Sequence, residues 1–528
     1  MAASDLVLLN GIVHTMDQAK PRASAVAISG KRIQAVGDEE VRDLAGPMTR
    51  ILDLEGRCVI PGLADSHIHF AHFALTLRQV NLVGTTSLRE AMERVAARVS
   101  QTPEGEWVQG HGWDQERWAE RRFPTAIDLD AVAPQHPVAL MAKSGHAAVA
   151  NSTALRLAGI DEHTVDPAGG RIERSPDGHP TGLLFDAAMR LLYDAIPRPD
   201  SGQLAATLPE AMGRAQKLGL TALHDMDDVV AFDAYQCLHA EGRLGLRIVK
   251  YVQAAELEHV LALHLRGGFG DDWLRLGGIK VMSDGALGPR TAAMLDPYLG
   301  EPENHGLLIY TLEELTDIVC RAAAGGLSVA IHAIGDRANR VALDALAAVT
   351  AFPRLRHRIE HVQLLAPEDV GRLAKLGIVA SMQPLHATQD APMAERYWGQ
   401  RCQYAYAWRS LLEAGTILAF GSDCPVEDLN PFLGLQAAVG RFSAELRPAG
   451  KAWYPEQRLT AEEALRAYTW GASYAAGMED RLGSLTPGKL ADLVVLDRDI
   501  LTVEPQAIGE TKVLATIIGG QVVMSDGL

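Results

Sequence analysis

The segment Asp65-Ser66-His67-Ile68-His69 closes an apolar run that begins at Val59. On an extended chain residues i and i+2 project to the same side, so the His67 and His69 imidazoles converge and offer two nitrogens to one metal ion. Three further side chains of metal-ligand type stand at the ends of later apolar runs: His332, His361 after Arg358-Ile359-Glu360, and Asp423 after Gly421-Ser422. Taken singly, His332 reads equally well as a satisfied core histidine, His361 as a rim hydrogen-bonder, and Asp423 as a turn residue or helix N-cap. Those roles leave their shared position at run ends without a reason. Imidazole and carboxylate donors suit Zn²⁺ most simply, with Mn²⁺, Fe²⁺ and Co²⁺ accepting a similar set, and water activated on such an ion is a hydrolytic nucleophile.

Elements must bring these residues together. Short apolar runs read as strands at 59–67, 220–225, 246–253, 278–283, 327–333, 358–362, 378–383 and 417–422, with helical stretches such as 312–324, 337–349, 367–375 and 461–467 between or after them. Eight βα units favour an α/β fold closed as a (β/α)₈ TIM barrel over an open sheet, and barrel active sites are built at the C-terminal ends of the strands. The candidate ligands fall at the ends of strands one, five, six and eight. About 150 residues separate His69 from Leu220, where a βα unit needs about 30, so an insertion subdomain is expected at about 76–205. The chain ends alternate apolar and polar residues between turn signals, and residues 1–60 and 485–528 are expected to complete one small β-sandwich around a barrel at 61–484.

Composition narrows the partners. With 66 acidic and 49 basic side chains the net charge is −17, which disfavours nucleic acid and anionic membrane because phosphate binding needs a basic field. The five cysteines form no CxxC pair, so neither a disulfide framework nor a cysteine zinc site is expected. The N-terminus lacks a secretory pattern and no apolar run is long enough for a membrane helix, which points to a cytoplasmic protein acting on a small molecule. Gly169-Gly170 and Gly325-Gly326 lack the Gly-Lys-Ser/Thr continuation of a phosphate loop. Cys424, next to Asp423, reads as packing rather than as a nucleophile.

The phrases Pro61-Gly62-Leu63-Ala64-Asp65-Ser66-His67-Ile68-His69, Lys280-Val281-Met282-Ser283-Asp284-Gly285, His332-Ala333-Ile334-Gly335-Asp336, Arg358-Ile359-Glu360-His361, Gly421-Ser422-Asp423 and Leu485-Thr486-Pro487-Gly488-Lys489 occur in this order. Together they resemble the amidohydrolase superfamily over nearly the whole chain, in the branch of N-substituted formamide deformylase and related amidohydrolases. The resemblance implies a binuclear centre. His67, His69 and Asp423 would hold the more buried ion, His332 and His361 the more exposed one, and Lys280, carboxylated by CO₂, would bridge them. On its own Lys280 reads as an ordinary snorkelling lysine, since an ammonium has no lone pair for a cation. The implied reaction is hydrolysis of a C–N bond in an amide, formamide or N-acyl compound by a metal-bridging hydroxide, with Asp423 as general base and then general acid. A homodimer or larger assembly is also in keeping with the resemblance.

Other residues are expected near the same rim. His224 and Asp225 end strand two, Asp284 and Arg290 follow strand four, and Gln383 follows strand seven. Arg290 has the geometry to bind a substrate carboxylate in a bidentate manner. Trp113 and His146, in the insertion, are expected to cap the pocket. Two competing readings remain: a mononuclear aminohydrolase deaminating a heterocycle, and a non-catalytic scaffold. The first usually has a glutamate soon after the strand-five histidine, which His332-Ala333-Ile334-Gly335-Asp336 lacks; the second would have lost a ligand, and every ligand position is filled.

Overall fold

The computed structural model describes residues 3–443 and 452–527. Eight strands form one parallel sheet in chain order: β1 (Leu63–Ile68), β2 (Leu220–Asp225), β3 (Arg247–Gln253), β4 (Leu274–Met282), β5 (Ser328–Ala333), β6 (Arg358–His361), β7 (Val379–Met382) and β8 (Leu418–Phe420). Strands such as Ser-Val-Ala-Ile-His-Ala in β5 are buried throughout, as parallel strands covered on both faces must be. The ladder from β1 to β8 closes into a barrel just beyond β8, where the Asp423 N–H donates to the His67 carbonyl at 2.8 Å. Closure needs a bare backbone: a Cβ on Gly421 would lie 2.5 Å from both Asp65 Oδ1 and the His67 nitrogen.

Helices follow the strands and cover the barrel. Leu312–Ala324 shows why these segments coil: Leu315, Val319, Ala322 and Ala323 make one buried stripe, and Thr311 and Glu314 form a reciprocal capping box at its start. The stretch expected as one helix over 367–375 is two short pieces, a 3₁₀ turn Pro367–Asp369 and a helix Arg372–Leu376, which ends at Gly377 in the left-handed conformation.

The run expected as a single strand at 59–67 is also two. Cys58–Pro61 pairs antiparallel with Leu493–Leu496 in a six-stranded sheet, and β1 begins after Gly62. A side chain at Gly62 would meet Thr221 Oγ1 at 2.4 Å, so the chain passes from one sheet to the other where only glycine fits. Beside this sheet is a four-stranded one containing Ser4–Leu9 and Ala25–Ser29. Leu6, Val13 and Ile28 from the N-terminal end share a core with Leu485, Leu493 and Ile517 from the C-terminal end.

Residues Ala74–Asp200 make a separate compact unit; residues 201–205, assigned to it on sequence, instead start the helix Ser201–Lys217 of the barrel unit. The unit has its own six-stranded mixed sheet, with Val80–Asn81, Val108–Trp113 and Val138–Ala142 parallel and Ala147–Ala150 antiparallel to the last. Its core includes Trp113, Trp118, Leu140 and Val149.

Candidate active site

At the C-terminal ends of the barrel strands lies a cavity of about 540 Å³ lined by His67, His69, Lys280, His332, His361 and Asp423 among others. Two of these residues reach it through unusual backbone. His361 has φ +73° and Asp423 φ +59°, left-handed values that turn a side chain off the course set by strand alternation. The rings of His67 and His361 lie 4.8 Å apart, and those of His332 and His361 4.6 Å apart. One ligand atom each from His67, His361 and Asp423 falls within a sphere of mutual distances no greater than 4.8 Å.

Each ring is held by its far nitrogen. His67 Nδ1 lies 2.5 Å from Glu360 Oε2, His69 Nδ1 3.2 Å from Asp227 Oδ1, and His361 Nδ1 2.7 Å from Gln383 Oε1. Such anchors fix the tautomer with the proton on Nδ1 and leave Nε2 as a lone-pair donor. His332 differs, since its Nε2 is 3.0 Å from the Gly285 carbonyl and 3.4 Å from Asp284 Oδ1, leaving Nδ1 as the available nitrogen.

The carboxylate completes the set. His386 Nε2 approaches Asp423 Oδ2 at 3.3 Å, while Asp423 Oδ1 is buried and has no hydrogen-bond partner among the described residues. That oxygen lies 3.5 Å from Nε2 of both His67 and His69. A buried anionic oxygen without a donor is costly unless a cation meets it, so the donor set fits a divalent metal ion. Burial works against ionisation of Asp423, but the His386 contact and the surrounding imidazoles outweigh it and hold the carboxyl well below the usual range. Burial, helped by His332 and His67, pushes the His361 imidazole well below its ordinary value; burial and the Lys280 charge bring His67 down to about 4, so both rings stay neutral and able to ligate.

Lys280 enters from β4 and is almost fully buried, with no hydrogen bond among the described residues. Burial lowers its ammonium to about 8, against the pull of Glu360 and Asp423.

A fully buried polar layer supports the rim. Arg358 bonds both oxygens of Glu360 and reaches His224 Nδ1 at 2.9 Å and Ser381 Oγ at 2.5 Å. Asp65 accepts from the Ser422 N–H at 3.1 Å and from its hydroxyl at 2.5 Å, tying β1 to the segment that carries Asp423.

Several residues expected at the substrate have other partners. His224 is buried against Arg358, and Asp225 is paired with Lys250 at 2.7 Å and with the Tyr235 hydroxyl at 2.9 Å, so both serve the barrel interior. Asp284 accepts from the backbone nitrogens of Ala293, Ile334 and Gly335 and shapes the loops after β4 and β5. Arg290 is paired with Glu301 and lies over the Tyr397 ring, and although it directly follows the lining residue Pro289 it is not itself among the residues that line the cavity. Gln383 acts through His361 rather than on the cavity itself. Within its own unit Trp113 is buried and its indole N–H donates to the Leu140 carbonyl at 2.9 Å, so a packing role replaces the expected cap. His146 is exposed there and paired with Asp186 at 2.8 Å.

Sequence reasoning overlooked Glu360, Asp227 and Asp65 as anchors, although Glu360 adjoins His361 and Asp65 lies two residues before His67. His386, which its position after strand seven places from sequence at the same barrel face as Gln383, meets Asp423 there.

The amidohydrolase family model matches residues 50–524. The chain is 36% identical to the protein LONG AFTER FAR-RED 3 of Arabidopsis thaliana, over 98% of this chain and 91% of the plant protein. It is 32% identical to the N-substituted formamide deformylase of Arthrobacter pascens, over 98% and 97% of the two chains. A solved structure of an uncharacterized metal-dependent hydrolase from Pyrococcus furiosus superposes with a TM-score of 0.78 at 31% identity, covering 94% of this chain and 100% of the other.

Proposed function

Because the chain belongs to the amidohydrolase family and is a metal-dependent hydrolase, we propose that it cleaves the C–N bond of an amide, formamide or N-acyl small molecule. The observation that carries this reading is Asp423 Oδ1, a buried carboxylate oxygen with no donor, set between imidazoles whose Nδ1 atoms are anchored. His67, His69 and Asp423 would hold one divalent ion, His332 and His361 a second, and Lys280 as its carbamate would join them, with Zn²⁺ the simplest occupant. Bound there, such ions supply a water of near-neutral pKa and polarise a carbonyl.

The protein's own groups do the rest. Burial disfavours the Lys280 ammonium and so favours its neutral amine; addition of CO₂ to that amine would form an N–C bond and release one proton, leaving an anionic carbamate. Asp423 accepts the proton of the attacking water and delivers it to the amide nitrogen as the C–N bond breaks, so a free amine leaves. His386, held between Asp423 Oδ2 and Glu427 Oε1 at 3.3 and 3.1 Å, keeps the other carboxylate oxygen engaged so that Oδ1 faces the reaction. The anchored rings cost no reorganisation when the substrate arrives.

The test is metal content per chain by plasma mass spectrometry, on untagged protein reconstituted with Zn²⁺ or Mn²⁺ and bicarbonate, followed by amine release from N-alkyl and N-aryl formamides and acetamides. Two ions per chain with amine released are expected. A fully loaded enzyme that leaves the whole amide panel intact would overturn the reaction assignment, and one ion per chain with ammonia released from amino-heterocycles would replace it with the aminohydrolase reading.

A further inference from the structure

The cavity wall has a charge asymmetry that the reaction itself does not require. Of the side chains lining it, Asp390, Asp423 and Glu427 are acids, and Lys280 is the only lysine or arginine among the described residues. Lys280 is committed to the metal centre on the reading above, and His386, the other basic group of the lining set among acids, has its two ring nitrogens engaged by Glu427 and Asp423, which leaves no free cation for a distant part of the substrate. The one arginine expected to meet a substrate carboxylate, Arg290, is neutralised by Glu301. Beyond the ligands the wall also carries an apolar group, Met282, Leu287, Ile334, Met393 and Val426, beside the uncharged amides of Gln253 and Gln363.

Both acids are fixed where they stand. The Tyr406 hydroxyl donates to Asp390 Oδ2 at 2.7 Å, and Tyr406 is itself buried. Glu427 Oε1 is 3.1 Å from His386 Nδ1. Each therefore keeps one carboxylate oxygen held by the protein, and the second is not used by any hydrogen bond among the described residues. An anion brought into this space would lose its water, meet no guanidinium or ammonium, and face two carboxylates; a desolvated, uncompensated charge of that kind is a strong element of discrimination.

We propose that the site selects amides whose substituents are apolar and uncharged or cationic, and rejects those carrying an anionic group such as the carboxylate of an N-acyl amino acid. The inference rests on the C–N hydrolase reading for its reaction but on separate residues for its selectivity. Asp390 and Glu427 are the specificity-determining pair, and the apolar wall receives the body of the substituent.

The experiment uses metal-loaded enzyme at pH 8 and three N-benzylformamides that differ at the ring para position: methyl, aminomethyl and sulfonate. Sulfonate carries the anion because it is a poor ligand for divalent metals. The methyl and aminomethyl compounds are expected to have kcat/KM about tenfold or more above the sulfonate, an effect of the order that one uncompensated charge produces in a partly desolvated site. Asp390→Asn and Glu427→Gln should each narrow that gap, mainly through KM. A sulfonate turned over as well as the methyl compound, with the gap unmoved in both variants, overturns the inference. If no compound releases amine, the reaction assignment fails; the selectivity is then read from calorimetric affinities of the same three compounds, where equal binding of sulfonate and methyl overturns it and the expected order upholds it.

Discussion

Among the described residues, two places gather three metal-ligand side chains within 4.8 Å: His67, His361 and Asp423 at the barrel rim, and His14, Cys58 and Asp499 among the terminal strands. Each holds a histidine and an aspartate, with a second histidine at the rim and a cysteine among the terminal strands as the third group, yet the clusters differ most in what their atoms already do. His14 Nε2 is 2.8 Å from Asp499 Oδ1, and the same oxygen accepts the Leu501 N–H at 3.0 Å, so the pair is satisfied internally. Burial and the Asp499 charge push the Cys58 thiol up to about 12, which keeps it a packed, protonated thiol. At the rim, Asp423 Oδ1 has no donor among the described residues, the rings are anchored from behind, and a cavity opens in front. Proximity of donors is therefore a weak sign of a metal site; an unanswered buried oxygen beside a cavity is a strong one.

The comparison breaks most readily at Asp423. Asp423→Asn should lower kcat by about a thousandfold or more while circular dichroism and the melting transition stay near wild type, since one substitution removes both a metal ligand and the proton carrier. Near-normal turnover at saturating substrate would take Asp423 out of both roles. Next comes Lys280→Ala, expected to lose part of its metal and about a hundredfold in activity, with partial recovery in added formate or acetate, small carboxylates that can stand in for the carbamate. Unchanged stoichiometry of two ions in that variant would remove Lys280 from the centre.

Smaller effects sharpen the contrast. Gln383→Leu deletes the acceptor for His361 Nδ1 and should weaken metal affinity about tenfold, measured by competition with a chelating dye, as expected for an outer partner of a ligating histidine. Unaltered affinity would mean that the His361 ring needs no such anchor. Asp499→Ala leaves His14 Nε2 buried without a partner and should cost about 1–3 kcal/mol of stability with no change in metal content or kcat/KM. A loss of one ion per chain in Asp499→Ala would invert the comparison and make the terminal cluster a metal site.

Much of the barrel was legible because parallel strands leave continuous apolar runs, and β2 and the helix Leu312–Ala324 have the boundaries read from sequence. The run at 59–67 was misread as one strand because nothing in an apolar run marks a change of sheet; the need for glycine at position 62 comes from Thr221, a residue far along the chain. His67, His361 and Asp423, which lie close together at the cavity, stood out in the sequence through their chemistry and their positions at run ends. Arg290 misled because a free arginine and one paired with Glu301 look alike until the loop after β4 is folded.

The sequence by itself determined the alternation of strand and helix, the histidines at run ends, and the acidic balance, because each depends on residue type and local spacing. Tertiary structure decided the rest. Strand alternation sends Glu360 and His361 to opposite sides, and only the left-handed turn at His361 brings that ring to the cavity while Glu360 reaches across the barrel to His67. The orphaned oxygen of Asp423, the anchors behind each ring and the pairing that holds Arg290 all come from folded contacts, from Arg290–Glu301 within the loop after β4 to His67–Glu360 across the barrel. Such contacts exist only once closure of the barrel fixes which polar groups are satisfied and which are left to bind.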